Sequence, residues 1–300
     1  MTRPLSSHSD GGLQAVSTPP AARLDVYMAE DGSTVVNGYL LAMPSDRTSS
    51  EAMLDALVMF ARSLQAPVIA TVIDRVVQQV SRLRVYPDGM SRPLADDEDL
   101  PPGPERTAAE EHVFPPLARA ERIVQHARRK ELHTAFVLSS ALREHLTLRR
   151  GVEDEFSLEA HALEAYLAYL RGDYALSTSL ALTVARVRCS TSLHRAAPEV
   201  ARATATWQRL TDDGQVAVRG KELLHMWERL SEEGLLSEPS HQAMAQVVRR
   251  RLGTKVRPQP DLSTDPDSAA GREPVAVRDE PRASTRGALW RVTHPGRSAR

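Results

Sequence analysis

Apolar and polar residues alternate in short runs over the first part of the chain, a pattern typical of half-buried strands. Residues 24–28 alternate in this way and lead into residues 30–32, a turn in which Gly32 can take a positive φ. Residues 35–36 begin a return strand, and Asn37-Gly38 is typical of a second tight turn before residues 39–41. The pattern predicts a small meander of short strands.

The spacing then becomes helical. Ser49 or Ser50 can cap a helix, because a serine oxygen accepts the orphan amide protons of the first turn. Apolar residues recur three or four positions apart over residues 53–64, and Pro67 ends the run. Residues 68–73 are nearly continuously apolar and residues 80–86 alternate, so both predict strands. The order strand, strand, helix, strand, strand predicts a small α+β domain over residues 23–87, with the helix on one face of a mixed sheet. This ββαββ order resembles the β-grasp arrangement.

The next stretch is acidic and rich in proline. From residue 87 to residue 110 it has seven carboxylates and five prolines, and almost nothing apolar to bury. Such a composition cannot offset its ordering entropy. Residues 88–114 are therefore predicted to be a solvated linker between two domains that collapse independently. Residues 1–22 and 254–300 are predicted to be disordered for similar reasons of composition.

The rest of the chain has helical periodicity. Pro198 is the single proline between residues 117 and 238, which favours a succession of helices and predicts an all-α domain over residues 115–253. Two helical hairpins stand out, one turning at Gly172-Asp173 and the other at Asp212-Asp213-Gly214. The two turn glycines are 42 residues apart.

Residues 165–174 have the sequence AYLAYLRGDY, an aromatic helix followed by Gly-Asp-Tyr. This segment resembles the tetratricopeptide-type helical hairpin repeat over about one unit. The chain departs from that family in its spacing of 42 residues against roughly 34, in Ser177 where the family prefers alanine, and in lacking a proline that closes the second helix. The resemblance implies a peptide-binding or scaffold role, and a plain helical bundle without a repeat remains open as the alternative.

Aromatic residues of this half are the first candidates for contact with a protein partner. Such rings would line a groove of the helical domain, while core packing is the simpler explanation for any single ring. The candidates are Tyr166, Tyr169, Tyr174, Trp207 and Trp227.

A basic cluster near the end of the helical half supports a second hypothesis. Residues 223–252 can form two helices joined as in a helix-turn-helix, and the cluster could neutralise phosphates of DNA. The simpler explanation is that cations complement the dipole at a helix C-terminus. The cluster consists of Arg249, Arg250, Arg251, Lys255 and Arg257.

Net charge and cysteine content argue against several classes of function. The 300 residues carry a formal net charge of −1, so the whole chain does not attract nucleic acid or anionic lipid electrostatically. Cys189 is the one cysteine, which excludes a disulfide framework and a multi-cysteine zinc site. Glu222 with His225 and Glu238 with His241 have the Glu-x-x-His spacing of di-iron bundles, but ordinary surface histidines explain them better.

The first residues lack the apolar stretch typical of a leader, no apolar run predicts a membrane span, and we recognise no catalytic or nucleotide-binding motif. These observations favour a cytoplasmic, non-enzymatic interaction or adaptor protein without a cofactor, whose partner the sequence does not identify. The alternative is a DNA-binding transcriptional regulator that uses the basic helix near residues 240–257.

Overall fold

The structure is a computed structural model that describes residues 21–43, 46–95, 116–236 and 238–255. Within these ranges an N-terminal sheet region precedes an all-helical C-terminal region, which confirms the predicted fold class. The strands are β1 (Ala22–Met28), β2 (Thr34–Val36), β3 (Tyr39–Leu40), β4 (Val68–Asp74), β5 (Gln79–Val85) and β6 (Ser91–Pro93). The helices are α1 (Ser49–Leu64), α2 (Pro116–Arg128), α3 (Leu132–Arg150), α4 (Glu155–Leu170), α5 (Tyr174–Thr191), α6 (Ala197–Trp207), α7 (Asp213–Glu232) and α8 (Pro239–Lys255), with a 3₁₀ turn at Leu193–Arg195.

The described strands form one sheet in the order β3-β2-β1-β4-β5-β6. The central strands β1 and β4 run parallel, and the other neighbouring pairs are antiparallel. The parallel pair needs a crossover, and α1 lies in that connection. Thr48 caps α1 in place of the predicted serines, because its Oγ1 accepts from Glu51 N while Glu51 Oε2 accepts from Thr48 N at 2.8 Å.

Both faces of the sheet are covered. Since side chains alternate along a strand, Val26 and Val72 point to one face, where they pack with Leu57 of α1. Tyr27 and Ile73 point to the other face, where α2, α3 and α4 bury them. The prediction of a helix on one face is thus confirmed for α1, and a second helical layer covers the opposite face.

The two regions therefore share a core, which differs from the expectation that they collapse independently. Val35 of β2 packs in the same apolar cluster as Ile123 of α2, Leu138 of α3 and Leu167 of α4. All described residues belong to one compact unit. The physical reason is that β1 and β4 carry apolar residues on both faces, so the sheet needs a second cover.

The helices of the C-terminal region pack chiefly against their neighbours in the chain, from α2 through α7. A second apolar cluster holds α5, α6, α7 and α8 together around two tryptophans, Trp207 and Trp227. Lys130, with φ of 64°, separates α2 from α3.

Parts of the predicted disordered and linker segments lie outside the described residues: 1–20, 96–115 and 256–300. At their edges the structure extends further than the predicted boundaries. The strand β1 begins at Ala22, and β6 pairs with β5 over residues that the sequence assigned to the linker. The helix α8 continues to Lys255.

Candidate interaction surface

The turn between α4 and α5 is built by the Gly-Asp-Tyr sequence. Gly172 has a φ of 81°, a left-handed conformation that favours glycine. Asp173 then caps α5, because its Oδ1 accepts a hydrogen bond from Leu176 N at 3.0 Å. Tyr174 is the first residue of α5 and Tyr169 lies in the last turn of α4. The tight turn therefore brings these two rings together.

The two tyrosines form an edge-to-face pair, with ring centroids 5.4 Å apart and planes at 63°. Arg209, which follows α6, places its guanidinium 5.3 Å from the centre of the Tyr174 ring, and its Nη2 lies 3.4 Å from Tyr174 Oη. At the same turn the guanidinium of Arg171 lies 4.3 Å from the centre of the Phe136 ring. We call these five residues the aromatic corner: Phe136, Tyr169, Arg171, Tyr174 and Arg209.

The aromatic corner is partly open to solvent. Its three rings are half-buried, and both arginines are exposed. Leu170, in the same turn, is 40% exposed. Two cation–π stacks and one aromatic pair thus hold an accessible group of side chains in fixed positions.

Three of the five aromatic residues predicted to line a groove are accessible: Tyr166, Tyr169 and Tyr174, all half-buried. The prediction is wrong for Trp207 and Trp227, whose side chains are fully buried in the helical core. Trp207 Nε1 donates to Val216 O and Trp227 Nε1 donates to Thr204 Oγ1, both at 3.0 Å. A tryptophan that is fully buried and whose indole N–H is hydrogen-bonded stabilises the fold and cannot contact a partner.

The second helical hairpin is not built like the first. Asp212 caps α7 by accepting from Gln215 N at 2.7 Å, and Gly214 lies within the first turn of that helix. The spacing of 42 residues therefore compares a turn glycine with a helical one. Ser177, a departure from the tetratricopeptide pattern, donates from its Oγ to Ala165 O at 2.8 Å. The resemblance to that repeat stays a prediction.

Arg251 of the predicted basic cluster is a structural residue. Its Nη1 donates to Trp207 O at 2.9 Å and its Nη2 donates to Leu210 O at 2.5 Å. The guanidinium also lies 4.7 Å from the centre of the Trp207 ring. This side chain therefore satisfies carbonyls at the end of α6, and contact of Arg251 with DNA phosphates stays a prediction.

Two other members of the cluster, Arg249 and Arg250, have described side chains in α8. Arg249 Nη2 lies 4.0 Å from Glu228 Oε1, and Arg250 is exposed. The side chain of Lys255 and the whole of Arg257 lie outside the described residues. DNA binding by this helix stays a prediction.

A buried charged cluster that was not predicted from the sequence lies between the sheet and the helices. Asp25 of β1 is 4% exposed, and its Oδ1 accepts from Arg149 Nη2 at 2.5 Å while its Oδ2 accepts from Arg119 Nη1 at 3.0 Å. The Nδ1 of His145 lies 3.6 Å from Asp25 Oδ1. Asn37 completes the cluster, because its Oδ1 accepts from Asp25 N at 2.8 Å. This arrangement holds α2 and α3 on β1.

Burial and charge shift the pKa values in this cluster in opposite ways. Burial acts to raise the pKa of the Asp25 carboxyl, but His145, Arg149 and Arg119 together hold it below its ordinary value. Burial lowers the pKa of His145 to about 4, with Arg119 and Arg149 adding to that effect and Asp25 opposing it. His145 is therefore neutral at pH 7 and Asp25 is ionised.

A second polar group lies at the same interface. Glu164 of α4 accepts from Ser140 Oγ at 2.6 Å and pairs with Arg143 Nε. Arg75, in the β4–β5 turn, pairs with Glu144 Oε1 at 2.5 Å. Burial, reinforced by the charges of Glu164 and Glu144, raises the pKa of Tyr27 to about 12. These contacts position the helices on the sheet, and each charge has a partner of opposite sign.

Neither metal binding nor a reactive thiol gains support. No group of three or more histidine, cysteine or acidic residues in the described ranges could hold a metal ion. Glu222 instead pairs with Arg186, Nε to Oε1, at 2.5 Å. Burial raises the pKa of the Cys189 thiol, which makes it less reactive.

In the described part of the chain, no helix is both long and apolar enough to cross a membrane.

Comparisons of this chain with protein-family models, with curated proteins and with solved structures gave no match.

Proposed function

We propose that the protein is a non-enzymatic interaction protein that binds a segment of a partner protein at the aromatic corner. The observation that supports this proposal is the arrangement of Tyr169, Tyr174 and Arg209, which are ordered by contacts with one another and still reach solvent. Tyrosine and arginine are enriched at interfaces, since both combine a large contact area with polar groups.

The side chains of the aromatic corner are held in position before a partner binds. Immobilising long side chains on binding costs free energy, and groups that are already ordered reduce that cost. The edge-to-face ring pair restrains Tyr169 and Tyr174, and the stacked guanidinium restrains Arg209. The Asp173 cap and the Gly172 turn fix the backbone beneath them.

The chemistry of the side chains indicates the kind of segment that fits. The tyrosine rings and Leu170 offer apolar contact, and Arg171 and Arg209 present guanidinium donors at the same turn. Guanidinium groups pair well with carboxylates in a two-donor geometry. The partner segment should therefore carry an apolar or aromatic side chain close to a carboxylate.

A photo-crosslinking experiment on the full chain tests this proposal. Leu170→p-benzoylphenylalanine places the probe within the aromatic corner, and the same substitution at Met59, which is 70% exposed on α1, serves as the control. We expect a discrete protein adduct from position 170 and none of that mass from position 59.

The adduct should disappear when Tyr174→Ser and Arg209→Ser are added, and should persist when the exposed Val218→Ser is added instead. Circular dichroism should show that the variants remain helical. Identical adducts from positions 170 and 59, or an adduct insensitive to the Tyr174 and Arg209 substitutions, would refute binding at the aromatic corner.

A further inference from the structure

A pocket lies where the β4–β5 turn meets the second half of α3, and its volume is about 180 Å³. Ile73, Val80 and Leu148 form its apolar walls, and the carboxylates of Asp74 and Glu144 also line it. Pockets that hold a drug-sized ligand or a cofactor are usually larger, roughly 300–1,000 Å³. The size of this pocket therefore suits one long side chain of a partner protein better than a cofactor.

The turn beside the pocket carries two valines that its backbone does not require. Asp74 Oδ1 closes the turn, because it accepts from Val76 N at 2.8 Å and from Val77 N at 3.2 Å. Glycine and small polar residues are the ones that usually occupy such turns. Val76 and Val77 are 58% and 63% exposed, so packing in the core does not explain them either.

These valines belong to a group of exposed aliphatic side chains around the pocket. Isolated exposed apolar residues are common on protein surfaces, whereas a group of them beside one cavity is typical of a contact surface. We use the name turn pocket for the cavity together with four exposed aliphatic side chains: Val76, Val77, Val80 and Leu148.

The charges at the turn pocket favour a positive ligand. The Asp74 carboxylate has no cationic partner among the described residues, since its bonds are those to the turn amides. Glu144 Oε1 is shared by Arg75 Nη2 at 2.5 Å and Arg143 Nη2 at 3.0 Å, and Arg143 also pairs with Glu164. Three carboxylates thus face two guanidinium groups, which leaves one negative charge.

We propose that the turn pocket binds a lysine or arginine side chain of a partner protein, with an aliphatic residue next to it in the partner. Long basic side chains have an apolar stem and a charged head. The stem packs between Val80 and Leu148, and the head pairs with Asp74. The neighbouring aliphatic side chain covers Val76 and Val77.

This surface is separate from the aromatic corner. The arginines of the aromatic corner favour a carboxylate, whereas the turn pocket favours a cation, so the two surfaces select different segments. Binding at the turn pocket therefore does not depend on binding at the aromatic corner, and each can fail without the other.

An NMR titration of the full chain with labelled valine and leucine methyl groups tests the proposal. The probes are three blocked tripeptides that differ only at the central residue: Leu-Arg-Leu, Leu-Gln-Leu and Leu-Glu-Leu. We expect the arginine probe to shift the methyl signals of Val77, Val80 and Leu148, and to bind about fivefold more tightly than the glutamine probe. The glutamate probe should bind most weakly. No shift at the turn pocket with the arginine probe, or equal binding of the arginine and glutamate probes, would overturn the proposal.

Two variants separate the charge from the apolar contact. Asp74→Asn keeps an oxygen that can accept from the turn amides, so the turn should remain while the preference for the arginine probe over the glutamine probe is lost. Val77→Thr should weaken all three probes, whereas Val218→Thr, at a site 71% exposed on α7, should weaken none. An undiminished arginine preference in Asp74→Asn would contradict the assigned pairing. Shifts of the same methyl signals on dilution of the free protein would show that a second copy covers the turn pocket, and a basic partner segment would then be wrong.

Discussion

Acidification should destabilise this protein through His145, whose ring is buried between the sheet and the helices. The guanidinium groups of Arg119 and Arg149 lie near this ring. A protonated imidazole at this position would be a charge removed from water beside two guanidinium groups. Asp25 and a hydrogen bond with the backbone of Val26 favour protonation of the ring, but burial outweighs both.

The magnitude follows from the two pKa values. In the unfolded chain a histidine titrates near 6.5, whereas the pKa of His145 in the folded protein is about 4. Between these values the unfolded state binds more protons, so stability increases with pH and is lost as the pH falls. Between pH 7.5 and pH 5 the loss from this one residue is about 2 kcal/mol.

Urea denaturation at pH 7.5, 6 and 5 measures the effect. His145→Leu should remove about 2 kcal/mol of the pH dependence, because the substituted side chain has no proton to bind. His194→Leu, at an exposed site, is the matched control for replacing a histidine with leucine. His161 also titrates below its ordinary pKa because it is buried, so some dependence should remain. Equal losses on acidification in the unmodified protein and in His145→Leu would refute the argument.

Three further substitutions test the helical core by thermal or urea unfolding. In Gly220→Ala the new Cβ would lie 2.7 Å from the Trp207 ring and 2.8 Å from Leu252, so stability should fall by roughly 1–3 kcal/mol; no loss would show that α7 shifts freely. In Gly253→Ala the new Cβ meets nothing within 4 Å, and stability should rise by about 0.5–1 kcal/mol, so a loss there would contradict the open space. Arg251→Met should cost about 1–3 kcal/mol, because two carbonyls at the end of α6 lose a donor; an unchanged midpoint would make Arg251 dispensable.

Local periodicity predicted most of the secondary structure, because those signals lie within one element. The alternation over residues 24–28 corresponds to β1, and the stripe over residues 53–64 corresponds to α1. The run over residues 68–73 also predicted a strand, but its continuity is a sign of burial on both faces. The second helical layer could have been inferred from that continuous apolar run, together with a linker long enough to let the helices return to the sheet.

Residues at the interface between the regions could not be predicted from the same signals. Asp25 occupies a polar position in an alternating strand, and a polar position normally faces solvent. It is buried because arginines from α2 and α3, more than 90 residues away, reach it. Trp207 illustrates the reverse case, since an aromatic residue on a helix stripe is equally compatible with a core and with a groove.

The polar contacts between sheet and helices also bear on whether the two regions can separate. Asp25 is ionised and almost fully buried, and its partners belong to helices of the other region. Separation would expose the Asp25 carboxylate and the two guanidinium groups to water, which costs little. It would also expose Tyr27, Ile73 and the apolar side chains of α3 that cover them. Burial of that apolar surface favours association, whereas the charges restrict it to one alignment, because any other would leave a buried carboxylate without its guanidinium. We therefore expect the sheet region expressed without α2, α3 and α4 to aggregate or remain unfolded, and a soluble, cooperatively unfolding fragment of residues 21–95 would contradict this.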